Sequence, residues 1–110
     1  MESVEKEWQI RGYDNLIEVS VRRDGITVSG HSGYAAHGSD IVCAGVSALF
    51  QTLLKSLLDL TNDRISYNIS PGESNVLYGN LSEKAHTLVD SFFVGICMIA
   101  DEYPDYVRVM

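Results

Sequence analysis

GHSGYAAHGSDIVCAGVSAL, residues Gly30 to Leu49, is where the periodicity of this chain changes. Before it, Ile17, Val19 and Val21 alternate with Leu16, Glu18, Ser20 and Arg22, then Asp24-Gly25 interrupts and Ile26 and Val28 resume the alternation. A period of two broken by Asp-Gly predicts a β-hairpin. After it, Val42, Val46, Leu49, Phe50, Leu53, Leu57 and Leu60 recur at three- and four-residue spacings, with Leu54 and Leu58 widening the stripe. That period predicts a helix from about Asp40, buried over much of its circumference. The stretch is therefore a strand-to-helix connection.

Outward from there the pattern repeats. Ile65, Tyr67 and Ile69 alternate with polar neighbours, Ser70-Pro71-Gly72-Glu73 reads as a turn, and Val76 to Gly79 returns as a strand. Ser82 is placed to cap a second helix with Ala85, Leu88 or Val89, Phe92, Ile96 and Ile99 on its buried face, ending near Tyr103-Pro104. Tyr106 to Val109 supplies a short last strand. The order ββαββα(β) predicts the α+β class, a two-layer sandwich with two helices packed on one face of a small, mostly antiparallel sheet. The 110 residues make a single domain, 1–110, in which residues 1–15 form an N-terminal arm or, through Trp8 and Ile10, an edge strand.

Composition narrows the function. A hydrophobic fraction of 45% with 21% charged residues is that of an ordinary globular protein, and no apolar run is expected to reach the length of a membrane span. The N-terminus carries acidic residues where a signal peptide would be basic, which predicts a cytoplasmic protein. A formal net charge of -7 with only eight Lys and Arg argues against a nucleic-acid partner. Cys43 and Cys97 are too few for a disulfide framework and are expected as free thiols. Cys97 and His86 lie within the second helical pattern, where core packing and solvent exposure, respectively, explain them.

The connection itself gathers His31, His37, Asp40 and Cys43 among Gly30, Gly33 and Gly38. Ser39 or Asp40 can cap the helix, and with Asp40 as the cap Cys43 falls in the first turn, where the helix dipole favours a thiolate. An ordinary thiol titrates near about 8.5, and lowering that to about 6, so that it is a thiolate at neutral pH, takes about 3.4 kcal/mol, of which the dipole supplies about 1. A histidinium about 4 Å away contributes about 4 kcal/mol at an effective dielectric of 20. Strand anchoring favours His31 as that partner over His37 in the middle of the loop. Ser47, one turn beyond Cys43, lines the site or bonds back to its helix.

Other readings compete. The four residues are types that zinc accepts, but H-x5-H-x2-D-x2-C matches no common zinc spacing, and neither a metal nor another cofactor is expected. Cys43 could also be a small core residue with His31 a strand-end hydrogen bonder. A third reading is a non-catalytic module that grips an extended peptide with its glycine-rich loop.

Gly30-His31, Gly38, Asp40, Val42-Cys43-Ala44 and Val46-Ser47 closely resemble the signature of the bacterial ribosomal-processing cysteine proteases. The likeness continues more weakly to Glu102-Tyr103-Pro104, covering about Leu16 to Met110, with Ser32 and Gly45 standing where alanine is more usual. The resemblance implies a cysteine endopeptidase with Cys43 as nucleophile and His31 as general base. Gly30, Gly33, Gly38, Asp40 and Ser47 would support or bind substrate. It further implies that the enzyme removes the N-terminal extension of large-subunit ribosomal protein twenty-seven, after an aromatic-rich segment, during ribosome assembly. A homodimer is also implied, and Leu54 and Leu58, beyond what one small sheet should bury, agree with it. Membrane and nucleic acid are not among the expected partners.

Overall fold

The computed structural model describes residues 16–30 and 37–110. Two strands, β1 (Ile17–Arg22) and β2 (Gly25–Ser29), are followed by helix α1 (His37–Leu60). A second pair, β3 (Ile65–Ser70) and β4 (Glu73–Tyr78), precedes helix α2 (Glu83–Glu102) and a short β5 (Val107–Val109). The sheet order is β3-β4-β2-β1-β5, antiparallel except where β5 lies parallel to β1. This is the expected α+β architecture. The N-terminal arm, and Trp8 and Ile10 with it, lie outside the described residues.

Register explains the layers. Val19 opposes Val28, Ile26 opposes Val76, Ile65 opposes Tyr78 and Ile17 opposes Val107. Opposed residues project to the same face, so one face is a continuous apolar surface while Glu18, Ser20, Thr27, Asn75 and Arg108 occupy the other. Val42, Val46, Phe50, Leu53 and Leu57 of α1 and Ala85, Val89, Phe92 and Ile96 of α2 join Ile17, Val19, Ile26 and Val76 in one buried core. The helices meet through an edge-to-face pair, Phe50 and Phe92, whose ring centroids are 6.4 Å apart. The Ser82 hydroxyl accepts from the Ala85 N–H at 3.2 Å, the cap its sequence position predicts.

Four details differ from the sequence reading. First, α1 begins at His37, so Asp40 stands within the first turn instead of capping it, and Cys43 falls in the second turn. Second, β4 begins at Glu73, three residues before Val76. Pro71-Gly72, with Gly72 at φ +83°, closes a two-residue turn, so Glu73, Ser74 and Asn75 are drawn at once into the ladder between β3 and β2.

Third, Ile41–Leu60 is a 20-residue stretch of mean hydropathy 1.7, long and apolar enough by that measure to cross a membrane, against the expectation that no run approaches it. In this fold Val42, Val46, Phe50, Leu53, Leu54 and Leu57 of this stretch are buried in the core beside the residues of α2. Fourth, Leu54 is buried, whereas Leu58 and Leu60 are 46% and 56% exposed. Leu54 lies beside Tyr67 and Ile69 of β3, and the buried stripe of α1 ends at Leu57.

Candidate active site

Three chain segments converge at one end of the sheet. There β1 begins, β2 ends, and the β3–β4 turn folds against them, fixed by a hydrogen bond of 2.9 Å from the Gly30 N–H to the Gly72 carbonyl. Helix α1 crosses the same end. Between them lies a cavity of about 350 Å³ lined by Cys43, Val46 and Phe50 of α1, Ile17 and Val28 of the sheet, and Ile69 at the end of β3. Its walls are mainly hydrocarbon. Gly30, Ser47, Gln51 and residues 70–74 complete the lining.

Cys43 is a free thiol, partly buried and packed against the core. Helical spacing puts Ser47 one turn and Gln51 two turns beyond it on the same face of α1. Gln51 donates through Nε2 to the Ser47 hydroxyl at 2.8 Å. A thiol, a hydroxyl and an amide thus run in line along one wall of an apolar cleft. Such a site can seat an extended peptide with its backbone along the polar line and a bulky side chain in the cavity.

Of the residues singled out by sequence, Gly30, Cys43 and Ser47 are brought together in this cavity. His31 and Gly33 lie outside the described residues. Gly38 and Asp40 are in the first turn of α1, and His37, expected in mid-loop, is its first residue. The dipole field falls off within the first turn, so at the position of Cys43 it contributes less than the sequence reading allowed. The backbone donors at the helix start are likewise displaced, because Cys43 follows His37 by six residues, about 9 Å along the axis.

Gln51 and the β3–β4 turn were not anticipated. The recurrence of Cys43, Ser47 and Gln51 every fourth residue within an apolar helix is a readable sign of a polar line, whereas which turn faces it is a tertiary fact. His86 is well exposed on α2, 3.7 Å from Asp90, as expected. Cys97 differs from expectation: it is only partly buried and is not among the residues packed on the core.

A family model and the curated relatives of this chain name one family. The model of the family described as cysteine protease Prp matches residues 16–108. The ribosomal processing cysteine protease Prp of Bacillus subtilis is 28% identical over 109 residues, covering 86% of this chain and 96% of that protein. The protein of the same description from Staphylococcus aureus is 25% identical over 100 residues, covering 84% and 94%. The crystal structure of S. aureus Prp in complex with a substrate peptide superposes with a TM-score of 0.76 at 22% identity, covering 86% of this chain and 96% of that one. A Streptococcus mutans crystal structure gives a TM-score of 0.76 at 26% identity, covering 86% and 91%.

Proposed function

The chain belongs to the cysteine protease Prp family, and on that premise we propose that Cys43 and His31 form the catalytic dyad with which it removes the N-terminal extension of a large-subunit ribosomal protein during ribosome assembly in the cytoplasm. The observation that carries the reading is the position of Cys43 on the wall of an apolar, peptide-sized cleft that Gly30, the residue before His31, also lines.

The chemistry follows from those groups. The Cys43 thiolate attacks the scissile carbonyl carbon, the C–N bond breaks, and His31 gives its proton to the leaving amine. Water, deprotonated by His31, then attacks the thioester, releasing the new carboxylate and restoring the thiol. Ser47 and Gln51 are placed to orient the peptide along α1, and the hydrocarbon walls to take an aromatic side chain of the extension. Gly33 in the connection after His31, and Gly38 and Asp40 in the first turn of α1, would support substrate or site.

The same reading includes a homodimer. Tyr67 and Ile69 of the edge strand β3 lie on the helix-covered face yet are 52% and 51% exposed, and with Leu54 and the half-exposed Leu58 of α1 they line an open recess between β3 and α1. A second copy is the natural cover for such a patch.

The test is direct. The purified chain is mixed with a peptide spanning the extension and the first residues of the mature ribosomal protein, and products are read by mass spectrometry. One internal cut by the native chain and none by Cys43→Ser, which keeps the shape but not the thiolate, is the expected result. Tight binding of the peptide without a cut would favour the non-catalytic peptide-binding module. Light scattering that shows a monomer at tens of micromolar would remove the dimer alone.

A further inference from the structure

The described fold starts at Leu16, and the next residue, Ile17, lines the Cys43 cavity. Residues 1–15 therefore join the fold at the mouth of the cleft, at the same end of the sheet as Gly30 and the β3–β4 turn. They also precede the residues that the family has in common, which begin at 16.

Their composition suits the cleft. The segment MESVEKEWQIRGYDN holds Trp8, Ile10 and Tyr13 at spacings of two and three residues. Alternate large apolar side chains are what an extended peptide offers to a groove with hydrocarbon walls. Glu73 is the one charged residue among the described residues that line the cavity, and Arg11 follows the Trp8–Ile10 pair with the opposite charge. The reach is sufficient as well. The six peptide links from Ile10 to Leu16 span up to about 20 Å when extended, enough for the chain to double back over the cavity beside its own entry point.

We infer that the N-terminal segment of this chain, through Trp8 and Ile10, occupies the Cys43 cleft and competes there with substrate. This deepens the peptide-cleft reading of the same site without depending on its catalytic chemistry. A short tether supplies an effective concentration on the order of millimolar, so an intrinsic affinity of only about 0.1 mM would leave the cleft roughly ten parts occupied to one part free. Substrate and thiol reagents would then see the cleft open about a tenth of the time.

Two measurements on the full chain test this, and neither needs a substrate. Site-resolved alkylation by N-ethylmaleimide compares the native chain with the double variant Trp8→Ala, Ile10→Ala. Both changes fall before the first described residue, Leu16, and Cys97, on α2, serves as the internal reference. The Cys43 rate should rise about tenfold in the variant while the Cys97 rate stays the same. Trp8 is the only tryptophan, so emission reports on this segment alone. It should be blue-shifted relative to a synthetic peptide of residues 1–15, and should move to the red when Cys43 carries a bulky maleimide. Equal Cys43 rates in the two chains, or Trp8 emission that matches the free peptide before and after labelling, would overturn the inference. A double variant in which Cys43 has become about tenfold more reactive but which still cuts no ribosomal-protein peptide would sink the proposed activity and leave this inference standing.

Discussion

The backbone N–H of Gly30 donates to the carbonyl oxygen of Gly72 at 2.9 Å, and both residues hold positive φ, +92° and +83°. One bond thus ties the end of β2, which leads directly into His31, to the hairpin turn that walls the Cys43 cavity. Both glycines are needed because the left-handed backbone disfavours an L side chain, and at Gly30 a Cβ would also run into the Leu16 carbonyl oxygen.

Gly30→Ala should therefore fail twice. Backbone strain and the clash with Leu16 should cost about 1–3 kcal/mol of stability, seen as a lower urea midpoint. Turnover should fall further than stability, because shifting this junction moves the histidine that follows it. A variant of native stability and native cleavage rate would show that the junction does not position the site.

The two histidines are separated by reactivity. With the helix starting at His37, the dipole no longer accounts for much of the activation of a second-turn cysteine. His31→Ala should lower the alkylation rate of Cys43 at pH 6.5 by tenfold or more and abolish peptide cleavage, whereas His37→Ala should leave both within about twofold. The reverse pattern would assign the base to His37 and refute the strand-anchoring argument.

A pair of helix glycines makes a test of packing. A Cβ on Gly45 of α1 would meet only Ile99 Cδ1 at 3.4 Å, an ordinary contact, while one on Gly95 of α2 would meet Leu49 Cδ1 at 3.0 Å and Cδ2 at 3.3 Å. Gly45→Ala should gain most of the propensity difference, about 0.5–1 kcal/mol. At Gly95 the same gain is offset by displacing Leu49, so Gly95→Ala should be neutral or destabilising. Thermal melts of the two variants rank them, and equal stabilisation would mean that the α1–α2 contact is looser than described.

The difference between these glycines also marks what could be read from sequence. Periodicity is local, so the stripe from Val42 to Leu57, the Ser82 cap and the alternation in β1 and β2 were legible. Ends of elements were less so. His37 to Asp40 contains Gly38, a residue that signals a loop, and only the tertiary course of α1 brings these four residues into the helix. The polar Glu73-Ser74-Asn75 run looks like a loop until β2 and β3 pair with it from both sides. In the site, Cys43 and Gly30 stood out as residue types, but Gln51 and the Pro71-Gly72 turn belong to it only because the sheet end and α1 cross there.

A final prediction concerns the join between the hairpin and α2. The Asp63 carboxylate accepts a hydrogen bond of 2.7 Å from the Ser82 N–H, just before the helix that the Ser82 hydroxyl itself caps. That bond, with help from the Ser82 and Thr61 hydroxyls, holds the Asp63 carboxyl below the usual carboxylate range. A carboxyl depressed in the folded state adds stability above its unfolded value, and that stability is lost as the pH falls through the folded value. Asp63→Asn keeps an acceptor oxygen but loses the charge. The variant should be less stable than the native chain at pH 6, with lower urea midpoint and unchanged slope. The gap between the two should then close as the pH falls below the ordinary carboxylate value of about 4 and on through the lower value of the folded state. A gap of the same size at pH 6 and pH 2.5 would mean that the charge on Asp63 contributes nothing to holding α2 in place.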